Sequence, residues 1–477
     1  MRKFLTCATI ATAIMTSAQN PLEQPFATVH QTPPFTRLTN ASYEPAIDRG
    51  IALAKAEIEK IANNPEEPTF ENTIVALERA GADLNRVLNV FYPLLSADAD
   101  DEMMEISMRV SPKLSDYGTS ITLNAPLWKR VKAVYEKRDG LNLDSEDAML
   151  LQKTYDSFAL SGADLEGADR DAYRKLSAEL SELTTVFGQN VLKELNTYEI
   201  WLTADDLAGL PKGIIDEAAQ LAEAKGRKGE FLFTLAQPTY MAFMKYSDRP
   251  DLRERFYRLY TGRNTKGEYS NVENMSRIAA VRLEIAKLLG SQNYAQHSLQ
   301  RTMAETPENV YKLLDQLRDA YKPALEREMA ELTEFASKTE GKSVKINPWD
   351  YSYYANKLKN TTYSYDEEQL RPYFELDNVI SGVFGLATKL YGLQFTRNND
   401  IEVYHPDVKA FDVTDDEGQF IGVIYTDFFP RDTKRPGAWM TGFKDQSITP
   451  EGVNDRPQVS IVMNFTKPTA DTPSLLT

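Results

Sequence analysis

The sequence predicts a mainly helical protein that closes with one small β-sheet, and three observations predict it. From about Tyr43 to about Lys342, apolar residues recur at three- and four-residue steps, the period of a helix face. After Val403 the pattern changes to alternation, with turn residues separating the runs. No unit of roughly 34 to 45 residues repeats along the chain, which argues against a helical solenoid.

The first residues read as an address. Arg2 and Lys3 precede the apolar stretch "FLTCATIATAIMTSA", and Thr16-Ser17-Ala18 resembles a small-residue cleavage site. The run is shorter than the roughly 18 apolar residues of a membrane span. The expectation is a signal peptide over 1–18, export to the periplasm, and a mature chain without a membrane span. Cys7, the only cysteine, would leave with the signal, so neither a disulfide framework nor a thiolate remains.

The helical region, 19–345, is read from its faces. In "NPEEPTFENTIVALERAGADLNRVLNVFYPLL", Ile74, Leu77, Gly81, Leu84, Leu88 and Phe91 form one face. Similar faces recur in "AYRKLSAELSELTTVFGQNVLKELN", "AAVRLEIAKLLG" and "NVYKLLDQLRDAYKPALEREMAELTEFASK". Phe231 to Leu235 is a short strand-like interruption. A second region, 346–477, opens on the aromatic cluster Trp349, Tyr351, Tyr353 and Tyr354, which suits either core packing or the wall of a substrate channel. The helix "NVISGVFGLATKLYG" follows. Two alternating runs then flank Asp415-Asp416-Glu417-Gly418, a hairpin signal, and "GAWMTGF" and "QVSIVMNF" supply two more strands.

Charge and motifs exclude several chemistries. A formal charge of -16 and the lack of a Lys/Arg stripe argue against a nucleic-acid partner. There is no Gly-x-Ser-x-Gly elbow and no phosphate-binding Gly-Lys-Ser/Thr loop. The three histidines, His30, His297 and His405, have no metal-ligand spacing, and none is followed by Glu. His405 and Asp407 flank Pro406, which suggests a turn. The carboxylate runs "DADDEMME" and "DVTDDEG" read as caps and solvated turns. No catalytic residue and no metal ligand is assigned from the residues present.

One segment is more specific. "YTDFFPRDTKRPGAWM", followed by "VSIVMNFTKPTADTPSLL", resembles the zinc peptidase family of peptidyl-dipeptidase and thimet oligopeptidase, as do "DLRERFYRLYTGR", "RLEIAKLLGSQNYAQHSL" and "PWDYSYYANKLK" upstream. Tyr425, Asp427, Arg431, Lys434, Arg435, Gly437, Ala438, Trp439 and Met440 stand in the order of the bacterial peptidyl-dipeptidase branch, and Asn464-Phe465-Thr466-Lys467-Pro468 follows. The resemblance implies a multi-helical zincin-like oligopeptidase fold, two lobes around a deep channel that admits short unfolded peptides, in a family whose members are often monomeric. It further implies that the zinc-binding His-Glu-x-x-His helix would lie beyond Thr477. The chain as given is thus expected to match the family's N-terminal two-thirds, to hold no zinc and to be catalytically incomplete. In such peptidases a strand edge pairs with the substrate backbone. Gly437, Ala438, Trp439 and Met440 are the expected substrate-binding residues, with a buried sheet strand as the alternative. The functional alternative is a non-catalytic peptide-binding protein derived from this family.

The same resemblance predicts a weak point. If the cover of the sheet lies beyond Thr477, about 400 Å² of apolar surface stays exposed, on the order of 10 kcal/mol as an upper figure. Val403 to Thr477 is then expected to be loosely held.

Overall fold

The computed structural model describes residues 20–364, 367–469 and 472–476; the predicted signal segment lies outside the described residues. Helix α1 (Asn40–Ala62) leads into the run predicted as one helical face, and that run is broken in two. A wide turn over Phe70–Val75 continues into α2 (Ala76–Arg79), and α3 (Ala82–Ala97) starts afresh. Gly81 between them sits at φ 79, a left-handed conformation costly for any residue with a Cβ. The apolar residues on either side of the break are buried in different cores: Ile74 packs with residues of the helices Ala125–Glu136 and Ser145–Leu160, whereas Leu84 and Phe91 pack with Tyr43 and Tyr425.

The next helices are α4 (Asp101–Thr122), α5 (Ala125–Glu136), α6 (Ser145–Leu160) and α7 (Gly167–Leu195). Asp100, from the run read as caps and turns, accepts from the Met103 N–H at 2.8 Å and caps α4. Strands β1 (Ile200–Leu202) and β2 (Phe231–Phe233) pair antiparallel around α8 (Lys212–Ala224), so the strand-like interruption is a two-stranded ribbon. Helices α9 (Gln237–Tyr246), α10 (Pro250–Thr261), α11 (Val272–Leu288), α12 (Tyr294–Leu299), α13 (Pro307–Glu340), α14 (Tyr351–Tyr363) and α15 (Leu376–Tyr391) complete the helical part.

Strands β3 (Gln394–Arg397), β4 (Lys409–Thr414), β5 (Phe420–Asp427), β6 (Trp439–Lys444) and β9 (Gln458–Val462) form the main sheet. The short pair β7 (Ser447–Ile448) and β8 (Asn454–Asp455) lies between β6 and β9 in the chain. The sheet order is β3-β4-β5-β9-β6, with β9 parallel to β5 and antiparallel to β6. The predicted hairpin is the β4–β5 turn, where Asp415 Oδ1 accepts from the N–H groups of Glu417 and Gln419.

Alternation puts Val423 and Tyr425 on one sheet face and Ile424 and Thr426 on the other. The first face does not await a cover. Val423, Tyr425, Ala410 and Phe443 share one buried core with Phe35, Tyr43, Leu84, Val87 and Phe91 from the start of the chain. The expected exposure is therefore confined to the opposite face. There Phe384 of α15 stacks on Phe395 at 4.1 Å and meets Phe411 edge-on, while Ile424, Val459 and Ile461 are half-buried and Met440 is 64% exposed.

Three further cores complete the interior. One joins the β1–β2 ribbon with α8, α9 and α10, a second joins the end of α1 with α5 and α6, and a small one joins the end of α13 with α14. The first part of α13 stands clear of all of them, with Tyr311, Leu314, Tyr321 and Leu325 exposed. Among the described residues no helix is long and apolar enough to cross a membrane.

Candidate functional site

Strand β5 ends at Asp427, and the next eleven residues form a loop that leads to β6. The loop is tied down by a buried charge cluster. Asp427, fully buried, accepts from Arg431 at 2.9 and 2.6 Å, from Lys434 at 2.9 Å and from the Tyr404 hydroxyl at 2.8 Å. Lys434 also donates to the Asp427 and Phe429 carbonyls, so its three ammonium protons have three acceptor groups. Arg431 reaches across to α3, donating to Ala97 O at 2.6 Å and to Asp98 Oδ1 at 3.1 Å. Asp98 takes a further bond from Thr433. Two cations face two carboxylates, which is the condition for burying charge without a large penalty.

The electrostatics follow from that arrangement. Burial works against the Asp427 charge, but the Arg431 bonds and the Lys434 charge outweigh it and hold its carboxyl below the ordinary range. Burial pulls Lys434 down to about 8 against the attraction of Asp427. Burial and then the charge of Asp427 push the Tyr404 phenol up, so it remains a donor.

The same loop fixes where β6 begins. Asn464 donates from Nδ2 to the carbonyls of Arg435 at 3.1 Å and Gly437 at 2.7 Å. Gly437 sits at φ 106, a conformation open essentially to glycine alone. Of the predicted substrate-binding residues, Gly437 and Ala438 thus form the end of the loop, and Trp439 and Met440 open the strand. β6 pairs with β9 on one side, and among the described residues no strand pairs with its other side. Ala438 and Met440 are exposed and Trp439 is half-buried. Trp439 and Met440 therefore open the edge strand of the sheet, with Gly437 and Ala438 in the loop before it, and β9 lies between β6 and the central strand β5.

The other sequence candidates resolve into structure. Tyr353 and Tyr354 are core residues, Tyr353 under the Arg253 guanidinium at 4.0 Å with its hydroxyl on Asp248. Trp349 packs against the core of the β1–β2 ribbon, and only Tyr351 is exposed. The cluster is packing rather than one wall. His405 Nδ1 accepts from the Asp407 N–H at 3.1 Å, the turn that Pro406 suggests. Asp98, Arg431, Lys434 and Asn464 were not legible as a site, because Asp98 and Arg431 are 333 residues apart.

Sequence comparison then identifies the family. Residues 243–477 match Peptidase family M3. Dipeptidyl carboxypeptidase of Escherichia coli K12 is 34% identical over 447 residues, covering 93% of this chain and 65% of that protein. Oligopeptidase A of the same organism is 32% identical over 464 residues, covering 96% of this chain and 67% of that protein. The chain belongs to peptidase family M3. It spans about two-thirds of the length of these M3 relatives. Saccharolysin of Saccharomyces cerevisiae is a more distant M3 relative, 26% identical over 429 residues, with 86% of this chain and 59% of that protein covered.

M3 peptidases in general depend on zinc, and the described residues do not fit that ion. They contain no group of three or more His, Cys, Asp or Glu side chains placed to hold a metal. The histidines are otherwise engaged: His30 stacks on Phe420 at 3.9 Å and faces Asp412, His297 lies against Tyr294, and His405 closes its turn. The carboxylate Asp427 is saturated by cations. The site's distinguishing feature is the edge strand β6, paired on one side only among the described residues.

Proposed function

We propose that this chain is the peptide-binding scaffold of an M3 metallopeptidase that acts on short, unfolded peptides. The observation that carries the reading is the unpaired edge of β6, reached through a loop that Asp427, Arg431, Lys434 and Asn464 hold in place. An extended peptide laid along Trp439 and Met440 would add a strand, gaining main-chain hydrogen bonds that read no side chain. Gly437 and Ala438 leave room for the approach: a Cβ on Gly437 would meet nothing within 4 Å. We further infer that the described residues bind peptide without hydrolysing it, since they form no zinc site, and that residues 1–18 direct the protein to the periplasm.

Hydrogen exchange of the whole chain with and without a saturating tetrapeptide, with cleavage followed by mass spectrometry, tests the reading. Slowed exchange in 438–444 with the peptide intact is expected. Binding that leaves those amides unchanged, or cleavage abolished by a chelator, would overturn it. Detection of the mature protein in the cytoplasm with Met1 intact would overturn the address.

A further inference from the structure

Helix α13 is 34 residues long, and its two ends meet different surroundings. Toward the C-terminal end, Leu332 and Ala336 are buried against Tyr353 and Tyr354 of α14. The same helix face continues toward the N-terminus through Leu325, Tyr321, Leu317 and Leu314 at three- and four-residue steps, with Tyr311 and Leu313 at its two edges. Those six side chains are 36–65% exposed. Every residue from Tyr311 to Pro323 is exposed, so nothing among the described residues lies over the stripe. A face built like a core face and left open on a free-standing helix marks an interaction surface.

The order of the stripe says what fits it. A two-fold axis between Leu317 and Arg318 lays α13 antiparallel on a second α13, with Leu314 against Tyr321 and Val310 against Leu325, so apolar residues meet apolar residues along its length. Arg318, beside the axis, already donates to Asp315 at 2.7 Å and to Asp319 at 3.0 Å, which offsets its charge where the two copies meet. Residues 307–328 carry four basic and five acidic side chains, a nearly neutral stretch in a chain of net charge -16. In a parallel pair the two α14 helices, which occupy this face near Leu332 in each copy, would hold the stripes apart; in the antiparallel pair they lie at opposite ends.

Area sets the strength. At these exposures the six side chains present on the order of 600 Å² per copy, so a pair buries roughly 1,200 Å², the lower end of stable interfaces. We propose that two copies of this chain associate through α13, paired antiparallel about Leu317. The pairing is independent of the β6 reading, and it departs from the monomer that the family resemblance implies.

Sedimentation equilibrium of the whole chain over about 1–100 μM tests it, and a monomer–dimer equilibrium with a micromolar dissociation constant is expected. Leu314→Glu combined with Tyr321→Glu sets like charges against each other across the axis and should weaken association about tenfold or more. Both positions are exposed and Glu is a good helix former, so circular dichroism and the urea midpoint should not change. A cross-link reads the geometry. In a Cys7→Ser background, Leu317→Cys should give a disulfide-linked dimer on mild oxidation, because the two Leu317 side chains meet at the axis. Gln316→Cys, on the opposite helix face, should not. A monomer at every concentration, a dimer unaffected by the two glutamates, or Leu317→Cys that links no faster than Gln316→Cys overturns the proposal.

Discussion

The two faces of the five-stranded sheet carry similar apolar residues and meet different surroundings. On one face Tyr425 and Phe443 pack edge-on at 5.3 Å, with Phe35 against both and Phe91 in the same core. On the other, α15 covers β3 and β4 through Phe384 and leaves Ile424, Val459, Ile461 and Met440 half-buried or exposed. On α15 itself, Val383, Leu386 and Leu390 are more than half exposed. The difference teaches that alternation in a strand says which residues share a face, not whether that face is buried. Burial of the first face depends on segments hundreds of residues upstream.

The comparison can be broken by substitution, and the largest effect is expected where the covered face is tied to the β6 loop. Asp427→Ala leaves Arg431 and Lys434 buried without their shared carboxylate, and should cost about 3–5 kcal/mol in urea unfolding. The same carboxylate makes stability depend on acid. Its folded pKa is lowered, so its contribution is complete above the unfolded value of about 4 and is lost as pH falls through the lower folded value. Asp427→Asn should flatten the unfolding free energy below about pH 4; an unchanged acid limb would show that Asp427 is not the group responsible.

Phe443→Ala on the covered face should cost about 3–5 kcal/mol, and Ile461→Ala on the opposite face about 1 kcal/mol. Equal costs in the same urea titration would mean that both faces are covered in solution, and the contrast would disappear. The smallest effect belongs to α15. Leu386→Ser, at a 56% exposed position, should change unfolding by under about 0.5 kcal/mol. Its visible consequence should be less self-association in sedimentation, since it removes part of an exposed apolar patch.

The sequence by itself determined much of this protein. The 3.6-residue period marked the helices, the Asp415–Gly418 turn marked a hairpin, and the segment from Tyr425 to Met440 carried the family and pointed to the stretch that lies at the sheet edge. It misread the helical face through Gly81, because a glycine in phase with an apolar stripe fits a continuous helix until its φ of 79 is seen. It also left the aromatic cluster after Ile346 with two readings, packing first and a channel wall second, which only the packing of Tyr353 and Tyr354 separates. Tertiary structure alone decided that β9 inserts between β5 and β6, leaving β6 at the edge. It alone brought Asp98 to Arg431 and Asn464 to Gly437. The physical reason is range. Helix and hairpin signals arise from neighbours within a few residues, whereas strand order and the partners of a buried charge are set by contacts between segments far apart in the chain, which no local pattern encodes.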